Sequence, residues 1–156
     1  MIGEASLMAR IVVAFGSSYM LGFERELRGA TVGDRTFALV GTAAAAVTAV
    51  SLEKAPHAIG GIVTGVGFIG GGVLFQGEGG LTRGVTTAAT LFLTASVGIV
   101  AGTGHLLGTV LLTALMILLL EIRHIPGLRL LDARRWEERA RNDAAPPVGK
   151  DPGGTA

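Results

Sequence analysis

The segment from Gly22 to Thr36 holds a dense run of charged residues, and these are the first side chains in the sequence that could form a functional site. The polar residues of this run are Glu24, Arg25, Glu26, Arg28, Asp34, Arg35 and Thr36, with three charges of each sign. Arginine can hold a carboxylate through two parallel hydrogen bonds, which fixes their geometry. We therefore predict a paired cluster of Glu24, Arg25 and Arg35, surrounded by the other polar residues. The alternative is an ordinary loop whose arginines only set the orientation of the chain in a membrane.

Two further hydroxyl groups, those of Thr86 and Thr87, stand where the fourth apolar stretch begins. Threonine at a helix start can cap free backbone N–H groups. The same positive helix end can also hold an anion or orient a carboxylate. Because both threonines are expected at the depth of the charged run, they join it in the candidate polar site.

Other kinds of chemistry lack the residues they need. The chain has no cysteine, and its three histidines, His57, His105 and His124, are scattered. There is no nucleophile–base set, phosphate-binding loop or metal-ligand spacing. No basic stripe interleaved with aromatic residues points to nucleic acid. We expect no enzyme, no cofactor, no metal centre and no nucleic-acid partner.

Glycine dominates the third apolar stretch. Our predicted packing positions are Gly61, Gly65, Gly67, Gly70, Gly71 and Gly72. Small residues four apart form a bare ridge along which another helix can approach closely. The alternative is a broken helix whose exposed carbonyl groups line an ion or solute path, as in transporters.

The elements that must position these residues are predicted to be five transmembrane helices in an all-α, polytopic membrane protein. The apolar stretches run over about 7–23, 36–52, 58–75, 85–102 and 106–122. Each has roughly the length that a helix needs to cross about 30 Å of hydrocarbon. In 156 residues, 49% are hydrophobic and 25 are glycine, a composition that suits lipid better than water.

Positive charge in the connecting segments predicts the orientation. Arginines lie between stretches one and two, at Arg83, and throughout the tail, whereas the other two connections hold only Lys54 and His105. Since positive charge marks the cytoplasmic side, the N-terminus is predicted outside and the C-terminus inside a bacterial inner membrane. We divide the chain into a membrane domain over 1–124, a basic cytoplasmic or interfacial helix over 125–141 and a disordered tail over 142–156.

Four motifs in the same order resemble the MgtC/SapB family of bacterial membrane proteins. The residues 22–26 (GFERE), 33–40 (GDRTFALV), 64–72 (TGVGFIGGG) and 84–90 (GVTTAAT) carry the resemblance, which covers about residues 10–120. Asp34 departs from the family, which usually has an apolar residue there, and Phe92 stands near a common tryptophan. Longer members carry a soluble cytoplasmic domain after the helices, which we do not expect here.

The resemblance implies five helices in the inner membrane and a link to growth at low magnesium, to virulence and to control of other membrane proteins. We expect a non-enzymatic protein that acts by helix–helix contacts on a membrane-protein partner, or as a homo-oligomer, in magnesium or ion homeostasis. The alternative is a transporter or channel that uses the glycine-rich third helix. No acidic cluster suited to Mg²⁺ lies within an apolar stretch.

Overall fold

The computed structural model describes residues 3–75 and 84–122, which form five α-helices and contain no strand. The helices are α1 (Glu4–Leu27), α2 (Asp34–Ser51), α3 (Ala58–Phe75), α4 (Val85–Gly102) and α5 (Leu106–Glu121). The predicted all-α fold is confirmed. The charged run is mostly helical, because α1 continues through Leu27 and α2 begins at Asp34.

The residues up to Ile117 form one compact unit, and the residues from Leu118 onward form a second. Of the second unit, the structure describes only residues 118–122, which include the end of α5. The predicted basic helix over 125–141, the predicted disordered tail over 142–156 and the connection that holds Arg83 lie outside the described residues.

Contacts between the helices of the first unit show that α1 and α2 run in opposite directions, as do α3 and α4. Gly22, near the end of α1, meets Asp34 at the start of α2, and Gly70, late in α3, meets Ala88 early in α4. In contrast, α2 and α4 run parallel, since Gly102 lies beside Ala45 as Gly98 lies beside Gly41. The corner of α1 and α2 therefore shares one end of the bundle with the start of α4.

The closest helix contacts are made by glycines of α1, α2 and α4. A Cβ atom on Gly98 would lie 2.8 Å from the Ala44 Cβ and still closer to the Gly41 carbonyl oxygen. A Cβ atom on Gly102 would lie 2.6 Å from the Ala45 carbonyl oxygen. Since backbone atoms cannot move aside as a side-chain tip can, α2 and α4 touch at a distance that only glycine allows.

The predicted glycine ridge of α3 is a different case, because five of its six positions meet no other helix within the described chain, and their role in packing stays a prediction. A Cβ atom on Gly61, Gly65, Gly67, Gly71 or Gly72 would meet nothing within 4 Å in the described part of the chain. Only Gly70 faces a neighbouring helix, 3.6 Å from the Ala88 Cβ. The reason is that α3 packs on the rest of the bundle through Gly70 and the buried side chains of Val66 and Val73. Most of its glycines lie on the faces turned away.

Large apolar side chains cover the outside of the bundle as well as its core. Leu21, Phe37, Leu91 and Val97 are fully buried, yet Phe68 is 85% and Leu107 is 89% exposed. Two helices, Glu4–Leu27 and Val85–Gly102, are long and apolar enough to cross a membrane, and Ala58–Leu74 and Leu106–Glu121 are shorter apolar helices. An outer surface of this kind is typical of a protein surrounded by lipid.

Candidate functional site

The end of α1 is pressed against the start of α2. A Cβ atom on Gly22 would lie 2.6 Å from the Asp34 Cα and 2.7 Å from the Phe37 Cβ, so only glycine fits at this position. Gly29, at φ +69°, turns the chain between the two helices in a conformation that favours glycine. The first two motifs are therefore two sides of one helical corner.

Glu26 joins the two sides of this corner. Its Oε2 atom accepts a hydrogen bond of 2.9 Å from the backbone N–H of Asp34, the first residue of α2. A Cβ atom on Gly33 would lie 2.8 Å from the same oxygen, so glycine leaves room for the carboxylate. Glu26 thus caps α2 from another helix, where its negative charge favours the positive helix end.

Glu24 and Arg25 form the predicted ion pair. The Arg25 Nη2 donates to Glu24 Oε1 at 2.5 Å and Arg25 Nε donates to Oε2, which makes the pair bidentate. The Arg28 Nε lies 3.8 Å from Glu24 Oε1. The side chains of Glu24 and Arg25 are only 10% and 11% exposed, so their mutual charge compensation matters for the fold.

Arg35 does not join this pair, and our prediction of a cluster of Glu24, Arg25 and Arg35 is wrong on this point. Arg35 is exposed, and no ion pair of the described residues includes it. It stands in the first turn of α2, where it lines an open cleft of about 480 Å³. The cleft is lined by Glu26, Gly33, Asp34, Arg35 and Thr36. The candidate polar site therefore separates into a buried ion pair and an open cleft.

A polar contact between α1 and α2 was missed by the sequence analysis. Asp34, Glu26 and Arg35 are near enough to the Tyr19 side chain to act on it electrostatically, and Asp34 acts most strongly. Tyr19 also stacks between Phe15 and Phe23, with ring centroids 6.0 and 6.4 Å apart. The spacing of four residues between these rings is a signal that predicts a shared helix face.

Thr86 and Thr87 differ in their surroundings. Thr87 is buried in the first turn of α4, whereas Thr86 is exposed and its backbone carbonyl accepts a hydrogen bond of 2.6 Å from the Thr90 hydroxyl. Among the described residues, the hydrogen bonds and ion pairs do not join either threonine to Glu24 or Arg25. That Thr86 and Thr87 belong to the candidate polar site stays a prediction.

The opposite end of the bundle holds a second polar contact that the sequence analysis did not identify. The Arg10 Nη1 donates a hydrogen bond of 2.7 Å to the Gly102 carbonyl oxygen, across 92 positions of sequence. Gly104, at φ +94°, leaves room for the guanidinium, since a Cβ atom there would lie 2.9 Å from Arg10 Nη2. A cation at the C-terminus of α4 offsets the negative end of its dipole. The glycines that flank Thr103 were the available signal.

The described residues contain no group of three or more histidine, aspartate or glutamate side chains placed to hold a metal ion. The helices are apolar and pack through glycine, and the polar contacts between them described above lie near the two ends of the bundle. These features define an α-helical membrane protein. A comparison with family models identifies the family: the chain belongs to the MgtC family, whose model matches residues 11–125. That family is associated with magnesium homeostasis and virulence, and its members are not known as enzymes.

Curated relatives support the same family. The chain is 39% identical to Protein MgtC of Brucella abortus over 105 residues, which cover 64% of this chain and 44% of the relative. It is also 39% identical to Protein MgtC of Salmonella typhimurium over 110 residues, or 65% of this chain and 47% of the relative. An uncharacterised protein of Haemophilus influenzae is 28% identical over 147 residues, or 85% and 59%. The chain thus spans about half the length of these relatives, and no solved structure matches it.

Proposed function

We propose that this protein contributes to magnesium homeostasis by binding a membrane-protein partner through the glycine-rich face of α3. In this proposal the five helices cross the bacterial inner membrane, with the N-terminus outside. The ion-paired corner of α1 and α2 lies at the cytoplasmic surface, where the arginines of the charged run satisfy the positive-inside rule. The protein carries out no reaction of its own.

The open face of α3 is the observation that carries this proposal. Glycine is less favourable than alanine inside a helix by about 1 kcal/mol, so the presence of several glycines on one helix needs a structural reason. Close packing within the chain supplies that reason on α2 and α4, but not at Gly61 or Gly65 of α3. Contact with a helix of another protein supplies it there, because a surface without side chains lets two backbones approach closely.

A groove beside this face adds a place for such a helix. Leu39, Val40, Ala43, Ala44, Ile62, Gly65, Val66 and Ile69 line an apolar depression of about 360 Å³ between α2 and α3. Gly65 is therefore both unpacked and part of a concave surface. A helix seated in the groove gains dispersion contacts that a flat, lipid-covered surface does not offer.

Transport through α3, the alternative function, needs exposed backbone carbonyl groups at membrane depth. In the structure α3 is one continuous helix from Ala58 to Phe75, so its carbonyl groups have helical geometry. That continuity argues against an ion path built on a broken third helix.

A paired experiment tests the proposed function. The purified chain in liposomes is assayed for flux of magnesium and other ions, and the tagged chain is purified from membranes to identify proteins that bind it. We expect no flux above that of protein-free liposomes and a defined partner that Gly65→Leu releases. Ala114→Leu, which places the same leucine side chain at an exposed position on α5, is the control and should retain the partner. Flux that the chain sustains without a partner would instead establish transport.

A further inference from the structure

A row of aromatic rings on the outer face of α1 leads directly to the open cleft of the corner. Phe15, Tyr19 and Phe23 are each between 41% and 51% exposed and stack along the helix. Met8 and Val12, 64% and 63% exposed, extend this apolar surface toward the other end of α1. The described helices leave this face of α1 uncovered.

The cleft at the end of this row carries both signs of charge. Its walls hold the carboxylates of Glu26 and Asp34, the guanidinium of Arg35 and the hydroxyl of Thr36. Tyr19, the polar member of the aromatic row, is near enough to Asp34, Glu26 and Arg35 of the cleft to be affected by their charges. A long apolar surface that ends in a pocket with two negative charges and one positive charge has the form of a phospholipid site.

We propose that the aromatic row and the cleft together bind one phospholipid with an ethanolamine headgroup. One acyl chain lies along Phe15, Tyr19 and Phe23. The phosphate accepts hydrogen bonds from the Arg35 guanidinium and the Thr36 hydroxyl, and the primary ammonium donates to the carboxylates of Asp34 and Glu26. This inference rests on the proposed placement of the helices in a bilayer.

Charge complementarity selects this headgroup over other common phospholipids. Two carboxylates and one guanidinium give the cleft a formal charge of minus one, which disfavours a phosphatidylglycerol headgroup with its uncompensated negative charge. A choline headgroup has the right charges, but its quaternary nitrogen has no N–H to donate to Asp34 or Glu26. Ethanolamine supplies both a cation and three N–H donors.

The test is a competition between lipids for the full-length chain. The protein is placed in nanodiscs made from equal parts of phosphatidylethanolamine, phosphatidylcholine and phosphatidylglycerol, and native mass spectrometry identifies the lipids that remain bound. We expect phosphatidylethanolamine to be enriched roughly two- to fivefold over each competitor, the range that a charge pair near a surface gives. Asp34→Asn should remove the preference over phosphatidylglycerol, and Arg35→Gln should reduce retention of all three lipids.

A matched control and the contrary outcomes complete the test. Glu53→Gln removes an exposed carboxylate at the other end of α2 and should leave the enrichment unchanged. Equal retention of the three lipids, or an enrichment that Asp34→Asn does not alter, would overturn the proposal. So would a dimer cross-linked through Phe23 that retains no lipid, because a second copy would then cover the row. These variants leave α3 intact, so equal retention of the three lipids together with an unchanged α3 partner would contradict this inference alone.

Discussion

The buried ion pair of Glu24 and Arg25 depends on the shape of the arginine side chain as well as on its charge. Two nitrogens of Arg25 bind the two oxygens of Glu24, which a lysine ammonium cannot do in the same geometry. We expect Arg25→Lys to lower the free energy of unfolding by about 1–3 kcal/mol, the value of a hydrogen bond to a charged group. Thermal or denaturant unfolding in detergent micelles, followed by circular dichroism, measures it.

Arg35→Lys is the matched control for this prediction, since it makes the same exchange in an exposed side chain of the same corner. Its effect on unfolding should stay within about 0.5 kcal/mol, as for other surface substitutions. Equal losses from the two variants would mean that the bidentate geometry of Arg25 has no special value.

The sequence predicted the pairing of Glu24 with Arg25, but not which arginine stays outside the pair. Glu24, Arg25 and Arg35 belong to a run with three charges of each sign and stand near two helix ends, so composition alone makes either arginine a partner of Glu24. The choice depends on the continuation of α1 through Leu27, which places Arg25 beside Glu24 on one helix and leaves Arg35 across the turn. Sequence spacing does not fix that distance.

At the scale of helices, glycines that share a sequence pattern have two different surroundings: Gly98 packs against another helix of the chain, and Gly65 does not. Gly98→Ala would place a Cβ atom against the backbone of α2, so α2 and α4 would have to separate. We expect a loss of about 1–3 kcal/mol in unfolding free energy, as for other overpacked interfaces. Gly65→Ala meets open space and should be neutral or stabilising by up to about 1 kcal/mol, because alanine favours a helix.

The same unfolding assay compares these two alanine variants directly. A loss at Gly65 equal to that at Gly98 would show that the face of α3 is already packed within one chain. A silent Gly98→Ala would show that α2 and α4 are not in close contact.

Sequence reasoning could place the helices but not decide which glycines face the interior. In a soluble helix, polar residues mark the outer face, whereas in lipid both faces are apolar and this signal disappears. The repeated glycines of α3 therefore predicted a close helix contact without showing whether it lies inside the chain, and Gly41, Gly98 and Gly102 received no such prediction. Only the position of each helix in the bundle separates the two groups.

At the scale of the molecule, the all-α fold and five helices followed from apolar segments of nearly constant length, and the described residues confirm both. Their orientation in the membrane stays a prediction, which the lack of native cysteine makes easy to test. In single-cysteine variants, Thr31→Cys should react with an impermeant thiol reagent from the cytoplasmic side. Lys54→Cys should react from the opposite side. Labelling of both positions from one side would contradict the proposed topology.

The central claim, that the open face of α3 binds a partner, can be tested in living cells by photo-cross-linking. A photoreactive residue replaces Gly61 or Gly65 on this face, and Leu107, an 89% exposed position on α5, serves as the control. We predict one discrete protein adduct from both α3 positions and none from Leu107, with the adduct lost when Gly72→Leu adds bulk to the same helix. Cross-links only to lipid from the α3 positions, or the same adducts from Leu107, would contradict a partner-binding role for α3.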